Sequence, residues 1–414
     1  MAVLRPFKAV RPVQSLAAKV AALPYDVMDT EEARAMVKGN PYSFLHVDRA
    51  EIDLEVGINP YSEAVYEKAR QNLNAMMREG TLVQDQAANL YVYRQKLHSR
   101  VQTGLVGCVA IDDYLDNVIK KHEHTRPDKE QDRINHVDYC DANTGPIFLT
   151  YKSKNEIARI ITEWTERTPL YDFVAEDGIS HTVWCIDDAG SIDWLCQLFG
   201  SIPSLYIADG HHRAASAVKV GQLRRKQNPA FTGDEEFNFF LAVLFPDKDL
   251  NIMDYNRVVA DLNGLSEGEF MRKAAERFEV SELGANQPHK PEARHTFGMY
   301  LAGRWYKLTA RDEIFDPADS VARLDVSILQ DNLLAPILGI EDPRTDKRID
   351  FIGGIRGLDE VQRRVDSGMK VGFAMYPTSI EDLMDVADAG KVMPPKSTWF
   401  EPKLRSGLFI HNLS

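Results

Sequence analysis

The sequence predicts a mixed α/β (α+β) fold built on a mixed sheet, and three observations carry that prediction. Apolar runs of strand length, Leu90 to Tyr93, Leu105 to Ile111 and Phe237 to Phe245, are interspersed with stretches of helical periodicity. The last of these runs is apolar almost throughout, as a strand buried on both faces requires. No fixed-period repeat or low-complexity tract breaks the alternation, which argues against a solenoid.

In chain order, Tyr61 to Glu79 reads as the clearest helix. Tyr61, Val65, Ala69, Leu73, Met76 and Met77 fall at helical spacing, and Gly80 stands where a C-terminal cap belongs. The two short β-rich runs follow. Leu205 to Ala208 is an apolar strand that enters a polar turn and then a small-residue helix, and Phe237 to Phe245 is the doubly buried strand. Ser266 followed by Glu269 has capping-box spacing and opens an amphipathic helix through Phe278. His295 to Leu308 reads as a hairpin about Ala302-Gly303. Proline and glycine are scattered rather than pooled in a linker, so the expected divisions are soft: an N-terminal α+β part over 1–150, a phosphate-binding part over 151–260 and a C-terminal α+β part over 261–414.

Composition bounds the function. With 414 residues, 44% hydrophobic and 27% charged, the chain can bury a sizeable core and is not largely disordered. Lys plus Arg is 49 against 62 for Asp plus Glu, a formal charge of −13, the wrong sign for coating nucleic acid. An anion site must therefore be local. The opening MAVLRPFKAVRP has no apolar run of signal-peptide length, and the longest apolar stretch, Phe239 to Phe245, is far short of a membrane span. The expectation is a cytoplasmic protein with neither membrane nor nucleic-acid partner. Cys108, Cys140, Cys185 and Cys196 are far apart with no CxxC pair, which reads as reduced thiols.

The sharpest local signal is Leu205-Tyr206-Ile207-Ala208-Asp209-Gly210-His211-His212-Arg213-Ala214-Ala215-Ser216-Ala217. Gly210 permits a tight turn, and the first-turn amides of the following helix can hold a phosphate with the charge of Arg213 and a donor from His211 or His212. Asp209, at the strand end, can orient a hydroxyl, accept its proton or hold magnesium. The plainer reading is a helix cap beside a satisfied histidine pair.

The second signal is Lys120-Lys121-His122-Glu123-His124-Thr125-Arg126-Pro127-Asp128-Lys129-Glu130-Gln131-Asp132-Arg133. Alternating charge of this kind often marks a solvated face. Its competitor is a loop that sets phosphate-binding Lys and Arg beside a carboxylate base, with Glu123 the candidate. His122, His124, His136 and Cys140 also include zinc-ligand spacings, although the flanking positive charge suits a phosphate better than a dication. Further on, Arg348 to Gly357 offers a strand, a glycine pair and Arg356, a weaker candidate for a backbone nest. The run Met393 to Gly407 combines Pro-Pro, Trp and Phe with Lys396, Lys403 and Arg405, and is expected to line a site or interface.

These motifs, with Arg5-Pro6-Phe7, Pro24-Tyr25-Asp26-Val27, Asn40-Pro41-Tyr42-Ser43-Phe44-Leu45-His46-Val47 and Asp254-Tyr255-Asn256-Arg257, resemble the bacterial and archaeal domain of unknown function 1015 family over essentially the whole chain. Its most specific pieces are KHEHTRPDKEQDR, YIADGHHRAASA, DYNRVV, FIGGIRG and MPPKSTWFEPKLRSG. A shorter stretch, DGHHRAASA, is similar to the nucleotide-phosphate turn of the ParB/sulfiredoxin-like superfamily, which includes partition-protein CTPases, sulfiredoxins and ADP- or ATP-dependent free serine kinases. Sulfiredoxins place a catalytic cysteine just before the His-Arg pair; His211 stands there instead, which argues against sulfinic acid reduction. No basic helical module like that of the partition proteins is present. The Asp209-Gly210 form is closest to the kinase branch. That resemblance implies a ParB/sulfiredoxin-like core, with Asp209 at a catalytic or metal-orienting position and His211, His212 and Arg213 at the phosphates.

The expected function is transfer of phosphate from ATP or ADP, with Mg2+, to the hydroxyl of a small molecule, free L-serine being the best acceptor. Glu123 and Asp209 are the expected catalytic residues, with Asp209 also the metal ligand. Lys121, His122, Arg126, Gly210, His211, His212, Arg213, Arg356, Lys396, Lys403 and Arg405 are the expected nucleotide-binding set. The alternatives are a nucleotide-binding regulatory protein or slow NTPase without a small-molecule acceptor, and a metal-dependent phosphate hydrolase. Oligomeric state has no signature in the sequence.

Overall fold

The apolar faces anticipated above find their partners in a computed structural model that describes residues 1–284 and 287–414. The chain forms two compact units, Met1–Leu250 with Pro402–Ser414, and Asn251–Glu401.

The first unit holds a nine-stranded mixed sheet. Its strands are β1 (Leu4–Arg5), β2 (Leu90–Leu97), β3 (Arg100–Ala110), β4 (Ile119–Lys120), β5 (Ile147–Tyr151), β6 (Tyr171–Val174), β7 (Ser180–Ile186), β8 (Leu205–Asp209) and β9 (Phe239–Pro246). In space they run β4-β8-β5-β9-β3-β2-β7-β6, with β1 beside β3. The expected doubly buried run is β9, antiparallel to β3 and parallel to β5, with Phe240 to Phe245 fully buried. The boundary expected near residue 150 falls inside β5, whose neighbours β8 and β9 both come from beyond it.

The longer helices of this unit are α1 (Glu63–Arg78), α2 (Pro127–Cys140), α3 (Asn155–Thr165), α4 (Ala189–Phe199) and α5 (His211–Gln227). Helix α1 begins two residues later than its periodicity suggests, because Ser62 is extended, and Gly80 follows its end at φ 75. Its stripe of Val65, Ala69, Leu73 and Met76 buries against Phe44, Leu45 and Val47. Ile157, Ile160, Ile161 and Trp164 of α3 and Leu195 and Phe199 of α4 join the sheet's core. Where strands cross closely, glycine sets the spacing: a Cβ at Gly104 would meet Val243 Cγ1 at 2.6 Å and Phe245 Cε1 at 2.9 Å. Gly104→Ala is accordingly expected to cost about 1–3 kcal/mol by overpacking, read as a lower thermal midpoint; an unchanged midpoint would show that the β3–β9 contact yields freely.

The second unit is built on a six-stranded antiparallel sheet. Its strands are β10 (Tyr255–Val259), β11 (Phe278–Gly284), β12 (Thr296–Leu301), β13 (Arg304–Ala310), β14 (Ile349–Gly353) and β15 (Val371–Ala374), in the order β11-β13-β12-β15-β10-β14. Its longer helices are α6 (Glu267–Arg277), α7 (Gly357–Asp366) and α8 (Ile380–Asp388). Both hydrogen bonds of the Ser266–Glu269 capping box are present, but Phe278 opens β11 instead of closing α6, since its backbone is already extended. The hairpin β12–β13 turns on Ala302 and Gly303, at φ 50 and 76.

All four cysteines are free thiols. Among the described residues, no helix is long and apolar enough to cross a membrane.

Candidate functional site

Strands β4 and β8 lie side by side and parallel, Ile119 opposite Leu205 and Lys120 opposite Tyr206. Parallel neighbours end at the same edge, so the loop leaving β4 (121–126) emerges beside the turn leaving β8. In that turn Gly210 sits at φ 93 and ψ 33, a left-handed conformation natural to glycine, and it is the N-cap of the 17-residue α5. A glycine cap supplies no side chain to close the first turn, whose N–H groups and helix dipole remain suited to an anion.

Loop and turn meet at several points. Glu123 Oε2 lies 3.7 Å from His211 Nδ1. The His122 ring stands edge-on to His211 with centroids 4.5 Å apart. The backbone N–H of Arg126 donates to His212 Nε2 at 3.0 Å, which places the His212 proton on Nδ1. Asp209 Oδ1 accepts from the N–H of Gly210 at 2.9 Å, while Oδ2 accepts from Lys403 Nζ at 3.0 Å.

Lys403 reaches Asp209 on a C-terminal segment that buried polar groups hold in place. Gln95 Nε2 donates to the Lys403 carbonyl at 2.8 Å and Gln102 Nε2 to that of Pro402 at 3.2 Å. Arg405, only 4% exposed, pairs with Asp177 and donates Nε to His181 Nε2 at 3.2 Å. The ammonium is thereby presented to Asp209 by a tethered backbone, at a smaller entropy cost than a mobile tail would carry.

The charges sort unevenly. Burial lowers the pKa of His122 to about 4, and burial, followed by the His122 ring, pushes His211 far below the usual histidine range. His212 is also lowered by burial. These rings are neutral near pH 7 and serve as hydrogen-bonding groups, so the fixed positive charge comes from Lys403 and Arg213. Burial of Asp209 opposes its ionisation, but Lys403 and Arg213 outweigh it and hold the carboxyl well below the usual carboxylate range. For Arg213 burial favours neutrality and is outweighed by Asp26 and Asp209, then Tyr25 and Asp48, so the guanidinium stays charged.

Several expected phosphate ligands are engaged elsewhere. Lys121 Nζ donates to the Tyr114 carbonyl at 3.2 Å and lies over the Tyr114 ring. Arg126 directs its guanidinium to Asp128, so its backbone and not its charge faces the turn. Arg405 is spent on Asp177 and His181, as described, which removes it from the expected donors. Arg356 and Lys396 belong to the second unit. There Arg356 is exposed, and the Lys396 carbonyl accepts from Arg257 Nη2 at 2.9 Å. The glycine pair beside Arg356 makes room for packing: a Cβ at Gly353 would strike the Trp399 ring at 2.6 Å, and one at Gly354 the Asp254 carboxylate at 2.5 Å.

The donor set does not fit a resident metal. Asp209 is the one carboxylate at the strand end, already tied to Lys403, and magnesium seeks near-octahedral oxygen ligands. Among the described residues no three His, Cys, Asp or Glu side chains are grouped to hold an ion. Of the suggested zinc ligands, His136 directs Nε2 to the Val47 carbonyl at 3.1 Å.

Sequence reasoning passed over Tyr25 and Asp26, Asp48 and Arg133 as site residues. Asp26 and Asp48 act on Arg213, and Arg133 lies 4.0 Å over the Tyr25 ring. The run Pro24-Tyr25-Asp26-Val27 was the available signal, an acid beside an aromatic in a stretch without periodicity.

A family model described as a protein of unknown function (DUF1015) matches residues 4–327. No curated protein matches the chain. Among solved structures, a free serine kinase in complex with AMP is 13% identical at a TM-score of 0.36, covering 73% of this chain and 91% of its own. A conserved hypothetical protein from Pyrococcus furiosus is 13% identical at 0.36, covering 73% and 94%. SbnI with a C-terminal truncation, from Staphylococcus aureus, is 11% identical at 0.39, covering 73% and 85%.

Proposed function

The chain belongs to the DUF1015 family of proteins of unknown function, and from the geometry of its first unit we propose that it is a small-molecule kinase. It moves a phosphoryl group from ATP or ADP to a hydroxyl, with free L-serine the leading acceptor. The observation that carries this reading is the meeting of Glu123 with His211 at the uncapped foot of α5, beside the Asp209–Lys403 pair.

Phosphoryl transfer asks for an anion cradle, a cation at the transferring group and a base at the acceptor. The α5 amides form the cradle, with Arg213 and Lys403 as the cations. The acceptor oxygen attacks the terminal phosphorus, the bridging P–O bond breaks with its electron pair on the departing nucleotide, and the hydroxyl proton passes to Glu123. Asp209, held ionised by Lys403, is too weak a base for that task and orients Lys403 instead. Magnesium belongs to this reading only as the ion a nucleotide carries on its phosphates.

The test is phosphorus NMR of the protein with ATP or ADP, Mg2+ and a pool of hydroxylated metabolites including L-serine. A new phosphomonoester signal, reduced about a hundredfold in Asp209→Asn and more in Glu123→Gln, is expected from the loss of charge placement and of the base. Nucleotide left intact, or hydrolysed with no acceptor product, would replace the kinase with a nucleotide-binding regulatory protein.

A further inference from the structure

The runs Asp254-Tyr255-Asn256-Arg257, Phe351-Ile352-Gly353-Gly354 and Pro395-Lys396-Ser397-Thr398-Trp399 lie in the second unit, outside the nucleotide reading, and they meet there. Arg257 on β10 stands opposite Phe351 on β14, and Tyr255 opposite Gly353. Trp399 fills the space that Gly353 leaves and stands edge-on to the Tyr255 ring, with centroids 5.0 Å apart.

Arg257 differs from the other buried arginines. Among the described residues these are Arg133, Arg405 and Arg257, the last 3% exposed. Arg133 has Asp132 at 2.8 Å, and Arg405 has Asp177. Arg257 has no carboxylate among the described residues: its Nη1 donates to the Tyr255 carbonyl, its Nη2 donates to the Lys396 carbonyl at 2.9 Å, and its Cζ lies 5.5 Å from the centre of the Phe351 ring. Those bonds use two of the five N–H groups that a guanidinium offers. Carbonyl oxygens satisfy N–H groups but leave the net charge in place, and a buried charge without a counter-charge is costly. Burial pulls this guanidinium down to about 10, which leaves it charged at pH 7.

A second cation comes to the same rings. Lys396 is exposed and has no ion pair among the described residues, and its Nζ lies 5.6 Å from the centre of the Tyr255 ring, itself 5.9 Å from that of Phe351. Its backbone holds a left-handed φ of 58, which a residue with a side chain adopts only where its surroundings hold it there. Ser397 Oγ donates to the Pro394 carbonyl at 2.5 Å, and Thr378 Oγ1 to the Ser397 carbonyl at 2.9 Å, which fixes the turn. The neighbouring carboxylate, Glu401, directs Oε1 to Trp399 Nε1 at 3.0 Å. Two like charges on one aromatic wall repel, and an anion between them reverses the sign of the interaction. Phe351 and Trp399 are only partly buried, so the wall keeps apolar surface for the body of such an anion. We propose that Arg257, Lys396 and the rings of Tyr255, Phe351 and Trp399 form an anion site that takes a carboxylate or phosphate borne on an aromatic body. The site is independent of the kinase reading, since all its residues lie in the second unit.

The experiment is calorimetric titration of the full chain with benzoate, with phenyl phosphate and, as the uncharged control, with benzyl alcohol, followed in parallel by tryptophan emission. At least one of the two anions is expected to bind, the tighter one telling carboxylate from phosphate, and benzyl alcohol is not. Lys396→Met keeps the stem and removes the charge at an exposed position, and should weaken the bound anion by about tenfold. Arg257→Met should abolish detectable binding; if it does not fold, Lys396→Met decides alone. Trp399→Phe should remove the change in emission that accompanies binding. The inference is overturned if neither anion binds, if benzyl alcohol binds as tightly, if Lys396→Met leaves the affinity unchanged, or if the emission change survives in Trp399→Phe. Arg257 is then a tether for the Lys396 carbonyl and nothing more.

Discussion

Replacing Gly210 by valine is expected to weaken ADP binding by about a hundredfold or more, the largest loss any single change outside the charged groups should cause. Two costs coincide at this residue. A β-branched side chain at φ 93 is a backbone outlier, with strain of about 1–3 kcal/mol. The added Cβ would also lie 3.1 Å from Arg213 Nε and 3.3 Å from its Cζ and Nη2, so the guanidinium must give way by a few tenths of an ångström. Relieving the strain by rotating the turn would redirect the α5 amides; keeping the turn would displace Arg213. Either response removes part of the cradle, and about 2.7 kcal/mol suffices for a hundredfold change. Gly210→Ala carries the same Cβ without the branch and should fall between. Titration calorimetry with ADP, beside thermal unfolding to show that the variant is folded, decides it. A folded Gly210→Val with wild-type affinity would mean that nucleotide does not bind at this turn.

What could be read from the sequence was what neighbouring residues decide among themselves. The β9 run, the α1 stripe, the Ser266–Glu269 box and the Ala302-Gly303 turn are local patterns, and each appears in the structure within a residue or two. The strands β2 and β3 are longer than their apolar runs because Gln95 and Gln102, 0% and 3% exposed, are buried to grip a carbonyl some 300 residues away. Polarity alone reads such residues as strand ends. The site shows the same divide. The turn at Asp209-Gly210 and its helix are local, but the meeting of that turn with Glu123 depends on the pairing of the two-residue β4 with β8, and the Lys403 contact on a chain return of 194 residues. Cations were the least legible group. Lys403 and Arg405 stand two positions apart with similar charge, yet one faces Asp209 and the other is consumed by Asp177 and His181. A positive charge in a sequence carries no mark of whether the fold has already spent it.

Acid is expected to loosen the first unit before the second, because their most strongly shifted buried groups are of opposite kinds, histidines in the first and Asp325 in the second. In the first unit burial lowers His122 from 6.5 to about 4 and His181 from 6.5 to about 3, with His211 lowered as well. A histidine whose folded pKa is depressed is neutral in the native state while the unfolded chain takes up protons. Its stabilisation is complete above pH 6.5 and is lost as pH falls toward the folded value. For His122 the loss is complete near pH 4 and amounts to about 3 kcal/mol. Asp209, lowered by Lys403 and Arg213 against its burial, keeps its contribution throughout that window and loses it only in stronger acid. In the second unit Asp325 is raised from 3.8 to about 7 by burial, reinforced by Asp382 and opposed by the His295 N–H and Arg294. It holds a proton that the unfolded chain would release, so the second unit gains stability as pH falls from 7 toward 3.8. Hydrogen exchange read by peptide mass spectrometry at pH 7.5 and 5, corrected for intrinsic rates, should therefore show β2 and β8 losing protection while β12 and β15 hold or gain it. His122→Gln should flatten the first trend by about one proton, and Asp325→Asn should abolish the second. Equal loss in both sheets would show that buried histidines and Asp325 do not govern the acid response.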